Sequence, residues 1–295
     1  MAPNPMPGKI HQSRSLFDKA LQPEDSKYCK LSIQLSMDGF SFCIYHQQRE
    51  KYLALASWDF QNVTNFLALK LLLNDFLPGI DWLQQEFRET SIILEAPEST
   101  LIPNPLFKEG LAEKYLRFNH YVTHDHQVRH DYLPLLDAEN IWAANESVLK
   151  QLEEKFPGAS VHHHSSSLIE ALMLQNKNRG AEESVFVNVR KSWFDIVVLK
   201  GNNLLLYNVF SYHTKEDFAY FLLYVLEFLG LNPETAELTL LGEIMKDSAI
   251  YEITYKYIRN LRFGRRDSEY GFSYIFDEMP EHFYYNLIHL QQCGL

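Results

Sequence analysis

Apolar and polar positions alternate along three short stretches near the start of the chain, Leu31 to Leu35, Phe40 to Tyr45 and Tyr52 to Ala56. A period of two sends alternate side chains to opposite faces, so these stretches predict three consecutive strands joined by tight turns. The period then lengthens, and "NFLALKLLLNDFL" from Asn65 reads as a helix. The same order returns half a chain later. "SVFVNVR" from Ser184, "WFDIVVLK" from Trp193 and "NNLLLYNVF" from Asn202 are three more strands, again followed by a helix. Thr214 caps that second helix, Asp217 completes a capping box and Glu216 adds favourable charge to its first turn. Phe218, Phe221, Leu222, Val225, Leu226 and Leu229 form one helical stripe, and Gly230 with Pro233 ends it.

The remaining elements extend each copy. In the second half they are a strand from Glu237 to Gly242, a helix over "SAIYEITYKYI" from Ser248 and a short strand at Leu261 to Phe263. In the first half they are a strand from Ser91 to Ala96, a helix near Pro105 to Asn119, strands around Tyr132 to Leu136 and Ile141 to Ala144, and a helix from Glu146 to Phe156. A strand and a helix follow between Ala159 and Gln175. An antiparallel three-strand meander continued by αβα units is the ribonuclease H-like layout. Two in tandem make an α/β fold with mixed sheets, the duplicated actin-like ATPase architecture of two lobes around a central cleft. The expected organisation is a loose tail over 1–27, a first lobe over 28–180 and a second over 181–295, with the polar stretch Asn176 to Glu183 as hinge.

At 295 residues, 46% hydrophobic and 14% aromatic, the chain has ample material for two cores. Its formal net charge of −11 and pI near 5.5 argue against a nucleic acid or an anionic membrane as main partner, since both are repelled at long range. The three cysteines lack CxxC spacing, which leaves neither a disulfide framework nor a zinc ribbon and suits a reducing cytoplasm. The first 27 residues lack the apolar core of a secretory signal. "FAYFLLYVLEFLGL", from Phe218, is too short to span a bilayer and contains Glu227, so no membrane insertion is expected.

"LLLYNVFSYHTKEDFAYFLLYVLEFLGLNPETAELTLLGEI", "YKYIRNLRF" and, near the start, "LSIQLSMDGFSF" resemble domain-of-unknown-function family 3822, an uncharacterised bacterial family similar in fold to actin-like ATPases. The resemblance runs from Tyr28 toward the C-terminus and implies a two-lobed fold with a cleft; it carries no catalytic residue across. Actin-like ATPases hold nucleotide on one Asp-x-Gly hairpin per lobe and a glycine-rich turn beside the adenosine. Glycines let backbone N–H groups approach the phosphates, and the carboxylates orient Mg²⁺ through water. The matching places here hold Asp38 and Gly39 in the first lobe, Asn188, Arg190, Lys191 and Ser192 in the second, and Gly242 with Glu243 at the adenosine side. Each departs from the pattern. Asp38 and Gly39 are adjacent, which is also the strongest short hairpin signal; the second turn lacks Asp-x-Gly; the third offers one glycine.

Histidines gather in "HYVTHDHQVRHD" and "HHHSSS", where His120, His124, His126, His130, His162, His163 and His164 could bind Zn²⁺ if the segments meet, although no spacing fixes a geometry. Arg259, Arg262, Arg265 and Arg266 could clamp a phosphate or carboxylate, or form a solvated edge. The first strand has no carboxylate for a two-metal nuclease, and Walker A, Rossmann and Gly-x-Ser-x-Gly patterns are missing. The aromatic stretch Tyr270 to Leu290 is expected to pack as a strand and helix on the second lobe, or to meet a partner.

The leading expectation is a cytoplasmic, non-catalytic actin-fold protein without a required cofactor, whose cleft or surface binds another protein or a small ligand; a homodimer is compatible with it. The alternatives are an ATP-binding protein or weak Mg²⁺-dependent ATPase built on Asp38, the Asn188 to Ser192 turn and Gly242, and a metal-dependent enzyme using the histidines.

Overall fold

The computed structural model describes residues 8–177, 182–267 and 269–292. Of the stretch read as a hinge, Asn176 to Glu183, residues 178–181 lie outside them. The chain divides into two units, the first made of Met1–Leu168, Glu269–Glu278 and Asn286–Leu295, the second of Ile169–Ser268 and Met279–Tyr285.

In the first unit the strands are β1 (Lys9–Phe17), β2 (Cys29–Leu35), β3 (Gly39–His46), β4 (Lys51–Gln61), β5 (Glu89–Leu94), β6 (Ser99–Pro103), β7 (His126–Leu133), β8 (Ala138–Asn145) and β9 (Ser160–His163). The helices are α1 (Phe66–Phe76), α2 (Ala112–Asn119), α3 (Glu146–Lys155) and α4 (His164–Asn176), the last running on into the second unit. The main sheet has the order β1-β4-β3-β2-β5-β9. β2, β3 and β4 form the expected antiparallel meander, and β5 and β9 add in parallel. Leu31, Ile33 and Leu35 of β2, with Phe42 and Ile44 of β3, are buried in one core with Leu69, Leu72 and Leu73 of α1 and Val148, Leu149 and Leu152 of α3. Asn65 starts α1 by accepting the Ala68 N–H at 2.9 Å, and Asn145 starts α3 by accepting those of Ser147 and Val148. Between β5 and β9 the chain inserts a second, antiparallel sheet, β6-β8-β7, backed by α2 through Leu116, Val122, Ile141 and Ala143. The helix expected over Pro105 to Asn119 is confined to α2; short 3₁₀ turns at Asn104–Leu106 and Glu109–Leu111 precede it.

The second unit repeats the plan with β10 (Glu183–Val189), β11 (Trp193–Lys200), β12 (Asn203–Ser211), α5 (Lys215–Phe228), β13 (Glu237–Gly242), α6 (Ala249–Tyr257) and β14 (Asn260–Phe263). Its order, β12-β11-β10-β13-β14, places two antiparallel pairs beside two parallel ones, as β4-β3-β2-β5-β9 does. The capping box of α5 forms as read, with Asp217 N–H to Thr214 Oγ1 at 3.1 Å and Thr214 N–H to Asp217 Oδ2 at 3.0 Å. The backbone N–H groups of His213 and Thr214, both donating to its Oδ2, hold the Asp217 carboxyl below its ordinary pKa. Gly230, at φ +67°, ends the helix. Phe218, Leu222, Val225 and Leu226 pack on Val185, Val187, Leu238 and Leu240 of the sheet.

Two expectations are corrected. Residues 9–17 are not a loose tail: β1 pairs along β4 from Lys9 against Gln61 to Phe17 against Ala54, completing the hydrogen bonds of an edge strand. Its side chains are mostly exposed, so the segment carries no apolar alternation to announce it. The terminal aromatic stretch does not pack on the second lobe as a whole. β15 (Gly271–Phe272) pairs with Lys51 and Tyr52 of β4, and residues from Asn286 onward belong to the first unit, where Gln291 donates to Ser32 Oγ at 2.8 Å. α7 (Tyr285–His289) begins where Met279–Tyr285 of the second unit ends.

Candidate functional site

In the first unit, Asp38 and Gly39 sit in the turn between β2 and β3. Ser36 N–H donates to Gly39 O at 2.9 Å, closing a four-residue turn, and the Ser36 hydroxyl donates to Asp38 Oδ1 at 2.5 Å. The Asp38 carbonyl accepts the Phe60 N–H at 2.8 Å, so the turn is tied to β4 as well. At Gly39 a side chain would begin 3.0 Å from the Trp58 carbonyl. Close packing against β4 is therefore reason enough for glycine there.

Met37, in the same turn, lines an apolar pocket of about 350 Å³ that the sequence reading missed. Leu35 of β2, Leu94 of β5, Phe66 of α1, Val148 of α3 and Val122 of the inserted sheet's core complete its apolar walls. Glu95, Glu98, Thr123 and His126 also line it. The His126 ring stands edge-on to Phe66 at 5.2 Å, and its Nδ1 lies 2.5 Å from Thr123 Oγ1. The Thr123 hydroxyl and His126 together hold the Asp125 carboxyl below the ordinary carboxylate range. Segments from five parts of the sequence meet here, and no local pattern marks them.

In the second unit the β10–β11 turn is organised around a carboxylate the sequence reading also missed. Asp195, wholly buried on β11, accepts from Asn188 Nδ2 at 3.0 Å and from the Tyr207 hydroxyl at 2.9 Å. Arg190 Nε stands 3.6 Å from the same carboxylate, and the guanidinium lies over the Trp193 ring at 4.6 Å. Asn188 and Arg190 thus converge on one buried acid, whereas Lys191 and Ser192 occupy the turn itself. Gly242 ends β13 beside Val189, at φ +87°, where a side chain would begin 2.1 Å from the Val189 carbonyl and 3.1 Å from Asn188 Oδ1. Glu243 accepts from the Tyr284 hydroxyl at 3.1 Å, and His282 Nε2 bonds the Ile244 carbonyl at 2.7 Å. Burial holds the His282 imidazole below its ordinary pKa.

The two histidine segments do meet, through Asp131 of β7. Its Oδ1 lies 3.1 Å from His162 Nδ1, and its Oδ2 accepts the His163 N–H at 2.9 Å and the Ser166 hydroxyl at 2.5 Å. His130 pairs separately with Glu139 at 2.9 Å. Among the described residues no group of three or more His, Cys, Asp and Glu side chains is arranged to hold a metal ion. The arginine string is split: Arg259 faces Glu234, Arg262 faces Glu237, Arg266 donates to the Met279 carbonyl, and Arg265 lines a pocket of the second unit. No helix among the described residues is long and apolar enough to cross a membrane.

Known structures share this architecture. A Bacteroides thetaiotaomicron protein with actin-like ATPase fold and unknown function is similar at 28% identity and a TM-score of 0.75, covering 83% of this chain and 93% of that one. A chain of the PilM–PilN type IV pilus biogenesis complex is similar at 14% identity and a TM-score of 0.61, with 89% of this chain and 98% of that one covered. No curated protein matches the chain. The fold is the actin-like ATPase fold, two copies of one sheet plan with an inserted sheet in the first. The model of the family described as protein of unknown function (DUF3822) matches residues 18–261, and the chain belongs to that family.

Proposed function

We propose that the protein is a non-catalytic binding protein of actin-like fold, and that the pocket beside Met37 receives a short apolar segment of a protein partner. The observation that carries this is the Ser36–Gly39 turn. At the place where an actin-like ATPase grips phosphate, Asp38 accepts the Ser36 hydroxyl and Met37 lines an apolar pocket of about 350 Å³. That volume falls in the range of small-ligand sites and suits one or two apolar side chains. The other nucleotide positions support the reading. Asn188 and Arg190 are committed to Asp195, and the approach of Val189 accounts for Gly242. These residues do not fit a Mg²⁺-nucleotide. Glu95 and Glu98 among the lining residues, on a chain of net charge −11, favour a segment flanked by lysine or arginine. The PilM–PilN complex is an assembly containing a chain of similar fold.

The test is selection of peptides from a phage-displayed random library on the purified chain, followed by fluorescence polarisation with the selected sequences. Apolar peptides with basic flanks are expected. Met37→Glu and Phe66→Glu should each weaken them by about tenfold or more, since a carboxylate would enter an apolar wall, whereas Asp38→Ala should leave binding unchanged. Mg²⁺-dependent ATP binding that Asp38→Ala weakens would overturn the proposal in favour of a nucleotide-binding protein.

A further inference from the structure

The second unit contains a pocket of about 690 Å³ on the face of its sheet away from α5. Phe186, Thr239 and Arg262 occupy one lateral row across β10, β13 and β14, in register with one another, and all three line the pocket. Phe263, whose ring stacks on His282 at 4.2 Å, also lines the pocket.

Three polar groups give the pocket chemical character. Asn176, the last residue of α4, is 1% exposed and lines it. Its Nδ2 donates to the Gly201 carbonyl at 2.9 Å, which fixes the orientation of the amide. Its Oδ1 is left buried with no hydrogen-bond partner among the described residues. A buried carbonyl oxygen without a donor is an uncommon and unfavourable arrangement, and a ligand N–H or O–H would relieve it. Arg262 spends Nε on Thr239 Oγ1 at 3.0 Å and Nη2 on Glu237 at 2.9 Å, and five N–H donors on a guanidinium leave others to offer. The Arg265 guanidinium makes no ion pair or hydrogen bond among the described residues and stands exposed at the pocket. Glu281, on the same pocket, limits its net positive charge to a local feature.

We propose that this pocket binds a small organic anion, a carboxylate or phosphate ester, that carries an apolar ring and a hydrogen-bond donor. The anion meets Arg265 and the spare donors of Arg262, for which a planar guanidinium is suited. The ring lies against Phe186, and the donor answers Asn176 Oδ1. This site uses no residue of the Met37 pocket, so the two proposals stand or fall separately.

Calorimetric titration of the full chain with two matched pairs tests it: 4-aminophenyl phosphate against phenyl phosphate, and 4-aminobenzoate against benzoate. The amine-bearing member of one pair should bind more tightly than its bare analogue, and the pair that binds identifies phosphate or carboxylate as the anion. Arg265→Gln should weaken that binding by about tenfold, the scale of a charge-assisted contact. Arg259→Gln, exposed and facing Glu234 at 3.8 Å, should not change it. Absence of heat from all four compounds at millimolar concentration, equal affinity within both pairs, or binding indifferent to Arg265→Gln would overturn the assignment.

Discussion

Asn188 Nδ2 donates to Asp195 Oδ2 at 3.0 Å across the β10–β11 pair, joining a residue that sequence reading assigned to a nucleotide turn to a wholly buried acid inside the sheet. Arg190 and Tyr207 complete the arrangement. A buried carboxylate held by Asn188, Arg190 and Tyr207 orders the turn that follows β10, because these partners come from different positions along the hairpin and from β12.

Removing that acid is predicted to destabilise the protein strongly. Asp195→Ala should cost about 3–5 kcal/mol, since it leaves the nearly buried Arg190 guanidinium without its carboxylate. Asp195→Asn, which keeps shape and some hydrogen bonding, should cost less. Thermal unfolding of the two variants measures this; a loss below about 1 kcal/mol for the alanine variant would mean that water replaces the carboxylate.

Gly242→Ala is predicted to be disruptive for a backbone reason. At φ +87° an alanine is strained, and its Cβ would begin 2.1 Å from the Val189 carbonyl, so β10 and β13 must separate locally. A loss above about 2 kcal/mol is expected. Gly110→Ala, where nothing lies within 4 Å, provides the comparison and should stay within about 0.5 kcal/mol of the parent. Similar melting temperatures for the two variants would refute the packing argument.

Stability should fall as the pH drops below about 6.5, in part through His282. Burial is the largest influence on its imidazole and lowers its pKa from the ordinary 6.5, with the nearby Arg266 acting the same way and the Ile244 carbonyl opposing. The unfolded chain therefore takes up the proton at higher pH than the folded one, so stability rises with pH up to the unfolded value and is level above it. Burial also lowers the His46 imidazole, which adds the same sign. Urea unfolding between about pH 5 and 7 should show a shallower pH dependence for His282→Gln than for the parent. An unchanged slope would remove His282 from the account.

Cys29 and Cys43 should resist alkylation in the folded protein. Both are wholly buried, and desolvation pushes each thiol up to about 12, so almost no thiolate is present at neutral pH. Native iodoacetamide treatment followed by mass spectrometry should leave both unmodified. All three should label once the chain is unfolded. Fast native labelling of Cys43 would reveal opening of the β2–β3–β4 meander.

Local periodicity was sufficient for most of the fold. The meanders Leu31 to Ala56 and Ser184 to Phe210, and the capped stripe of α5, are legible because each buries one face, and burial on one face writes a period into consecutive residues. β1 shows the converse. Its side chains are mostly exposed and its attachment to β4 runs through backbone hydrogen bonds, which any sequence can make. The candidate site was legible only in part: Asp38-Gly39 could be read as a turn, and Asn188, Arg190 and Gly242 could be placed at strand ends. Asp195 could not be recognised, since an acid inside "WFDIVVLK" looks the same whether or not Asn188, Arg190 and Tyr207 surround it.

The doubled succession of strands and helices, and hence the actin-like architecture, is written locally, because strand and helix periods, caps and turns are properties of neighbouring residues. Long-range packing set how those elements are used. It joined Met37 to Phe66, Val122 and Val148 in one apolar pocket, Asn176 to Arg262 and Arg265 in another, and the C-terminal segment to β4. Such groupings depend on which surfaces exclude water together, a relation between segments distant along the chain that no local spacing encodes.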